Sequence, residues 1–404
     1  MINIETLKNY KSEVEKELDS ILSWWIEYAL DKENGGFYGK INNINGIDAK
    51  SEKGLVLNAR ILYTFSSAYL LYHKVEYLTM ANEAFRYLVK YFQDTENGGF
   101  YWALDYSGEV IDCKKQIYGQ AFSIYGLSEY YKASNNKEAL EIAKSCFQLI
   151  QKHSFDAVNY GYLEAFTKNW KEIKDNRLSD KDLNEKKSMN THLHVIEAYA
   201  NLYSVWPNIE LKKAIENLLN NFETHIINKS DNHLHLFFTE KWEVKSTVFS
   251  FGHDIEAAWL LLEATEIIND EKEIKKFKEI ALKISQAATA GLNQNGGLWY
   301  EYDTKKEHWN KEMHWWPQAE AMVGFYNAWQ ISHDEEYLIQ SLKSWSFIKN
   351  HLIDHQNGEW FWGVHSDFSL MQNKDKAGFW KCPYHNSRAC IEIIKRINLD
   401  LINS

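Results

Sequence analysis

The sequence predicts an all-α protein, an (α/α)6 barrel of six inner and six outer helices with short hairpins at one end. Three observations carry this expectation. A turn motif recurs six times at a nearly constant interval, each interval holds two helical stretches of opposite character, and only three prolines (Pro207, Pro317, Pro383) occur in 404 residues. The whole chain, 1–404, reads as a single catalytic domain.

The turn is clearest in Glu33-Asn-Gly-Gly-Phe-Tyr38, Glu96-Asn-Gly-Gly-Phe-Tyr101, Gln294-Asn-Gly-Gly-Leu-Trp-Tyr300 and Gln356-Asn-Gly-Glu-Trp-Phe-Trp362. Weaker relatives stand at Asn159-Tyr-Gly-Tyr162 and Asp231-Asn-His-Leu234. The starts at 33, 96, 159, 231, 294 and 356 are separated by 63, 63, 72, 63 and 62 residues. Asn-Gly followed by aromatics makes a tight turn into a short strand or hairpin, and six of them at one period mean a repeat architecture.

Within each period one helical stretch is striped. Residues 5–30, 77–92, 138–150, 211–226, 273–289 and 335–352 place apolar side chains three and four apart, as in Leu78, Ala81, Phe85, Leu88, Val89 and Phe92. The other set, 55–72, 118–131, 191–206, 253–268, 317–331 and 385–399, is apolar around most of its circumference. A striped helix faces water on one side, and a helix apolar all round is buried. Alternation of the two gives a double-layered ring. An open solenoid would need polar capping repeats, and the chain stops at six pairs without them.

Each inner helix opens with a polar or aromatic cluster: Asn58-Ala-Arg60, Gln116-Ile-Tyr118-Gly-Gln120, Asn190-Thr-His-Leu-His194, Phe251-Gly-His253-Asp-Ile-Glu256, His314-Trp-Trp-Pro-Gln-Ala-Glu320 and Tyr384-His385-Asn-Ser-Arg388. Unpaired burial of such groups costs on the order of 1–3 kcal/mol each, so a shared pocket at one mouth of the ring is the reading that accounts for them. His194/Glu197 and His253/Glu256 are spaced i,i+3 and Trp316/Glu320 i,i+4, so each imidazole is expected beside a carboxylate on its own helix. Any one of these histidines would pass as a satisfied core residue; three at equivalent positions point to chemistry. Aromatics reach 15%, with 16 Trp and 24 Tyr, and their flat faces with polar edges suit sugar rings.

Composition narrows the class further. A net charge of −11 argues against nucleic acid and anionic membranes. No stretch approaches the roughly 20 apolar residues that span a bilayer, and the charged, amphipathic start MINIETLKNYKSEVEKELD is no signal peptide. Cys113, Cys146, Cys382 and Cys390 show no CxxC spacing, so reduced thiols and a cytoplasmic location are expected. His192 and His194 point to nearly opposite sides of a helix and cannot share an ion. His233 and His235 lack a third ligand nearby, and no HExxH, nucleotide-binding glycine motif or GxSxG elbow appears. No metal and no cofactor are expected. Histidines around one pocket with an arginine suit proton transfer at a carbon next to a carbonyl. Imidazole, with its ordinary pKa near 6.5, can take and return that proton at neutral pH.

Four segments carry a resemblance to a known family: Lys187-Ser-Met-Asn-Thr-His-Leu-His194, Phe251-Gly-His-Asp-Ile-Glu256, Trp315-Trp-Pro-Gln-Ala-Glu-Ala321 and Phe379-Trp-Lys-Cys-Pro-Tyr-His385. Over nearly its whole length the chain resembles the N-acylglucosamine 2-epimerase superfamily and, within it, the cellobiose 2-epimerases. The resemblance implies an (α/α)6 barrel that epimerises the reducing-end glucose of β-1,4-linked disaccharides such as cellobiose and lactose, without a cofactor, through a cis-enediol. It makes His194 and His385 the acid–base pair at C2 and gives His253, supported by Glu256, the opening and closing of the sugar ring. Arg60, Tyr118 and Asn190 would hold substrate oxygens, Trp316 and Trp380 would stack on the two rings, and Glu320 would line the site. The partner is then a reducing disaccharide, met by a monomer or weak homodimer. Within the family, mannobiose or N-acetylglucosamine epimerases and aldose–ketose isomerases are the alternatives. From other classes, an (α/α)6 glycoside hydrolase would need two carboxylates flanking the bond, for which Glu256 and Glu320 are available. A non-catalytic sugar-binding protein would leave the three histidines unexplained.

Overall fold

The computed structural model describes residues 4–403; residues 1–3 and 404 of the expected 1–404 domain lie outside them. Among the described residues the chain forms twelve α-helices: α1 (Ile4–Tyr28), α2 (Leu55–Tyr72), α3 (Val75–Tyr87), α4 (Ile117–Ser134), α5 (Lys137–His153), α6 (Met189–Tyr203), α7 (Ile209–Asn221), α8 (Phe251–Ile268), α9 (Glu271–Ala288), α10 (Trp315–Ser332), α11 (Glu335–His351) and α12 (Tyr384–Asn403). None is long and apolar enough to cross a membrane.

The two helical characters separate in space. The even-numbered helices pack in sequence, α2 on α4, α4 on α6, α6 on α8, α8 on α10 and α10 on α12, and α12 returns to α2. Each odd-numbered helix covers an even-numbered one: α1 on α12, α3 on α2, α5 on α4, α7 on α6, α9 on α8 and α11 on α10. Helices such as α2 and α8 are buried along nearly their whole length, whereas α5 and α9 bury one stripe. Four of the junctions from inner to outer helix are tight because His73, Asn135, Asn269 and His333 end α2, α4, α8 and α10 in the left-handed conformation. The outer helices α5, α7, α9 and α11 start on Asn136, Asn208, Asp270 and Asp334, whose side chains accept from the first backbone N–H groups.

The hairpins gather where the inner helices begin. The two or three residues before an inner helix pair antiparallel with the hairpin of the next repeat: 53–54 with 103–104, 115–116 with 165–166, 187–188 with 237–238, 248–250 with 301–303 and 313–314 with 363–364. A bridge between Ile41 and Ala377 joins the last repeat to the first. The Asn-Gly turns need positive φ, as at Gly35 and Gly36 (79° and 66°), and a Cβ on Gly36 would meet the Tyr87 ring at 2.6 Å.

Two sets of polar spokes fasten these turns to the helices. Buried lysines before the inner helices reach buried aspartates in the turns: Lys53–Asp31 at 2.7 Å, Lys115–Asp94 at 2.8 Å, Lys187–Asp156 at 2.9 Å and Lys376–Asp354 at 2.7 Å. At the fourth residue of an inner helix, Gln120, His192, Asp254 and Gln318 accept the backbone N–H of Phe100, Tyr162, Leu234 and Leu298. His192 is thereby a structural residue.

That role has a pH signature. Burial, with Lys187 and His225 nearby, outweighs the bond to the Ser188 carbonyl and brings His192 down to about 3. Below the ordinary value of 6.5 the unfolded chain therefore takes a proton that the folded chain refuses. The stabilisation is complete above pH 6.5 and is lost as pH falls toward 3. Glutamine serves the same position in α4 and α10, so His192→Gln keeps the Tyr162 bond and removes the titration. Between pH 7 and pH 5 the variant is expected to lose about 2 kcal/mol less than the parent in urea unfolding. Equal losses would show that His192 is not the titrating group.

Candidate active site

The polar clusters at the starts of α2, α4, α6, α8, α10 and α12 meet inside the ring of inner helices. On α6, the His194 Nδ1 lies 2.9 Å from Glu197 Oε2. On α12, the His385 Nδ1 lies 2.7 Å from Glu320 Oε1 of α10. Both rings are buried and both turn Nδ1 to a carboxylate, which fixes that nitrogen as the N–H donor and leaves Nε2 as the basic atom. The ring of His253 on α8 sits 4.6 Å from Trp316, which in turn sits 5.7 Å from His385. His194 packs edge-on to Tyr118 at 5.0 Å and beside Phe122 at 4.8 Å.

Arg60 enters from α2. It donates to the Tyr118 hydroxyl at 2.7 Å, reaches the Trp380 carbonyl at 3.4 Å and lies 4.1 Å over the Phe122 ring, while its Nε has no hydrogen-bond partner. Asn190 Oδ1 and His253 Nδ1 are likewise buried without partners. Asn190, His253, Trp316 and Trp380 are only partly buried, so the cluster opens to solvent on their side. Trp380 stands 5.8 Å from Trp102 and 6.1 Å from Tyr118. Nine of the ten expected residues are thus joined by contacts, in part through Arg388 and Glu197, and Asn190 stands at the start of α6 with no side-chain hydrogen bond to the other nine.

Two expected pairings do not form. Glu256 is not beside His253; it accepts from Arg388 Nη2 at 2.8 Å. Glu320 is not committed to Trp316; it takes His385, Arg388 and, at 3.1 Å, the indole N–H of Trp259. The helical spacing is right in both cases, but the ring offers each carboxylate a cation from another helix, and a buried carboxylate turns to the strongest donor in reach. The residue missed is Arg388, which is 1% exposed. It binds Glu197 through Nη1, and Glu256 and Glu320 (2.6 Å) through Nη2. Its presence in the Tyr384–Arg388 cluster was the available signal. Glu256, Glu320 and His385 place donor atoms within 4.8 Å of one another, a spacing that suits a cation, and the guanidinium supplies one.

Electrostatics follow burial. Desolvation pushes all three site histidines down: His253 to about 3 with His194 adding, His194 below its usual value against the pull of Glu197, and His385 well below with Arg60 and Arg388 adding. Burial alone would raise Glu197, yet Arg388 and the His194 bond outweigh it and bring it to about 2. The His194–Glu197 contact is therefore a neutral imidazole donating to an anion. Burial raises Glu256 well above the carboxylate range, with Glu320 adding, and burial raises Glu320 also. The arrangement offers two neutral imidazole bases, a guanidinium and a phenol around one partly open space.

Along most of its length the chain is similar to known sugar epimerases. The family model described as N-acylglucosamine 2-epimerase (GlcNAc 2-epimerase) matches residues 36–389. A cellobiose 2-epimerase of Bacteroides fragilis is 49% identical over 95% of this chain and 98% of its own length. Another, of Dictyoglomus turgidum, is 40% identical over 97% of this chain and 100% of its own. The solved structure of cellobiose 2-epimerase from Bacillus thermoamylovorans superposes with a TM-score of 0.92 at 38% identity, covering 96% of this chain and 100% of that one.

Proposed function

The chain belongs to the N-acylglucosamine 2-epimerase family, and from that membership we propose that His194 and His385 act as the two bases of a disaccharide C2 epimerisation. It is a carbohydrate epimerase, an isomerase. The substrate is a β-1,4-linked disaccharide with a free reducing glucose, cellobiose or lactose, as suits the relatives named cellobiose 2-epimerase. One observation carries the reading: two imidazoles with the same tautomer, each backed by a glutamate, on helices facing across one ring.

In the open-chain aldose the C1 carbonyl makes the C2 hydrogen acidic. One imidazole, neutral, removes it through Nε2, Arg60 and Tyr118 hold the enediolate oxygens, and rotation about C2–C3 presents the other face. The second imidazole, which has taken a proton from solvent at Nε2, delivers it there, and the first returns its proton to solvent. Positioned acid–base groups contribute about 10²–10⁴-fold each. His253, with Nδ1 free of intramolecular partners, assists ring opening and closure. Trp316 and Trp380 stack on the two sugar rings, and Asn190 and Glu320 complete the lining; Glu256 acts through Arg388 rather than through His253. The same reading makes the chain one (α/α)6-barrel domain, supported by the return of α12 to α2 and the Ile41–Ala377 bridge. It keeps the protein cytoplasmic, as its four free cysteines suit, and active as a monomer or weak homodimer without a cofactor.

Incubation with cellobiose in D2O, followed by NMR, is the test. The expected product is 4-O-glucosylmannose carrying deuterium at C2. Release of free glucose, or product without deuterium, would overturn the proposal.

A further inference from the structure

We propose that Arg388 is the positioning residue that ties the two acid–base dyads into one unit, so that each imidazole is aimed and charged with reference to the other. The inference rests on the roles given to His194 and His385 above, and goes beyond them.

The geometry is unusual for a buried arginine. One guanidinium, 1% exposed, contacts three carboxylates that reach it from α6, α8 and α10 across separations of 191, 132 and 68 residues. Two of these carboxylates, Glu197 and Glu320, are the ones that orient His194 and His385. Tyr384, on the same helix, donates to Glu197 as well. Below the guanidinium lie the Trp259 ring at 4.8 Å and the Tyr384 ring at 4.3 Å, which fix its plane. Removing one member of such a buried network leaves uncompensated charge, so the carboxylates would reorient and take both imidazoles with them.

The tie also sets charge. An epimerase with two bases begins each turnover with one imidazole neutral and the other protonated, and ends with the roles exchanged. A single cation placed behind both glutamates disfavours protonation of either ring and links the two sites in one field. The groups facing His194 are Glu197 on its own helix, Arg60 from α2, Tyr118 from α4, His253 from α8, and His385 and Arg388 from α12. Those facing His385 are Arg388 and Tyr384 on its own helix, Arg60 from α2, His194 and Glu197 from α6, Glu256 from α8 and Glu320 from α10. Arg60 and Arg388 are common to both sets, and of the two only Arg388 binds the glutamates that hold the imidazoles.

The test uses the full-length protein with cellobiose. Arg388→Met is expected to lower kcat by about 100-fold or more while KM changes little. It also moves the acid limb of the kcat profile about one unit to higher pH, because loss of the positive charge lets the histidines protonate more readily. Arg388→Lys keeps a charge but not the fork, so the limb stays near the parent position and part of kcat, about 10-fold, returns. A role confined to packing would not move the limb. Should the methionine variant fail to fold, a double-mutant cycle decides: Glu197→Gln and Glu320→Gln are expected to be non-additive in kcat by about 10-fold, although they lie on different helices. Additive effects, or an Arg388→Met enzyme with the parent kcat and pH limb, would overturn the proposal. Parent protein that puts no deuterium at C2 would instead sink the epimerase reading itself.

Discussion

His194→Asn and His385→Asn each lower epimerisation by about 10²–10⁴-fold, yet each variant still exchanges the C2 hydrogen of one of the two epimers. The reason is geometric. Each imidazole turns Nδ1 to Glu197 or Glu320, which leaves Nε2 for the substrate, and on the proposed assignment each serves one face of the planar enediolate. With one imidazole gone, the other still removes the hydrogen on its face and returns a solvent deuteron to the same face. That exchange does not invert C2. One variant is therefore expected to label the glucose-type disaccharide in D2O and the other the mannose-type, in each case much faster than the two epimers interconvert. Binding is expected to be largely kept, because asparagine leaves the Arg60–Tyr118 bond in place and removes only ring contacts from Tyr118 and Trp316. A variant that epimerises near the parent rate, or one that labels both epimers, would remove its histidine from the pair.

The organisation that positions these rings was largely legible in the sequence because periodicity is a property of neighbours along the chain. The striped and all-apolar stretches correspond to the outer and inner helices, with differences of a few residues at the starts and the ends. The inner helix expected from 317 begins at Trp315, since Pro317 is tolerated in a first helical turn where its missing N–H has no intrahelical partner to satisfy. The expected outer helices 77–92 and 211–226 each end in a π-helical turn, 88–92 and 222–226. Pairings were legible only where both partners share a helix. His194/Glu197 holds, but Glu256 and Glu320 were assigned to neighbours on their own helices when the true partner, Arg388, stands 132 and 68 residues away. Ring closure creates that proximity, and no local spacing encodes it.

The lysine spokes escaped the reading for a related reason, and they give the largest expected stability effect. Polar residues in Asn-Gly turns read as solvated, yet Lys115 and Asp94 have fully buried side chains 2.8 Å apart. Asp94 also accepts from the backbone N–H of Glu96 and Asn97, which shapes the turn. Burial lowers the Lys115 pKa while Asp94 opposes the shift. For Asp94, burial would raise the pKa, but the Lys115 bond and the turn N–H groups hold it below its ordinary value. Lys115→Met strands this carboxylate in the protein interior and is expected to cost about 3–5 kcal/mol in urea unfolding at pH 7. The molecule itself contains the remedy. Phe249 and Met313 stand two residues before α8 and α10, where Lys53, Lys115 and Lys187 stand before α2, α4 and α6, and their turns carry Asn228 and Asn293 in place of aspartate. Asn293 still accepts from the N–H groups of Asn295 and Gly297, and its amide faces the Met313 sulfur at 3.1 Å. Charge and countercharge are thus absent together, which is how a buried pair is replaced without leaving an ion behind. Adding Asp94→Asn to Lys115→Met is accordingly expected to restore stability to within about 2 kcal/mol of the parent. A double variant no more stable than Lys115→Met would mean that packing of the lysine stem, rather than its charge, fastens the turn to the helix.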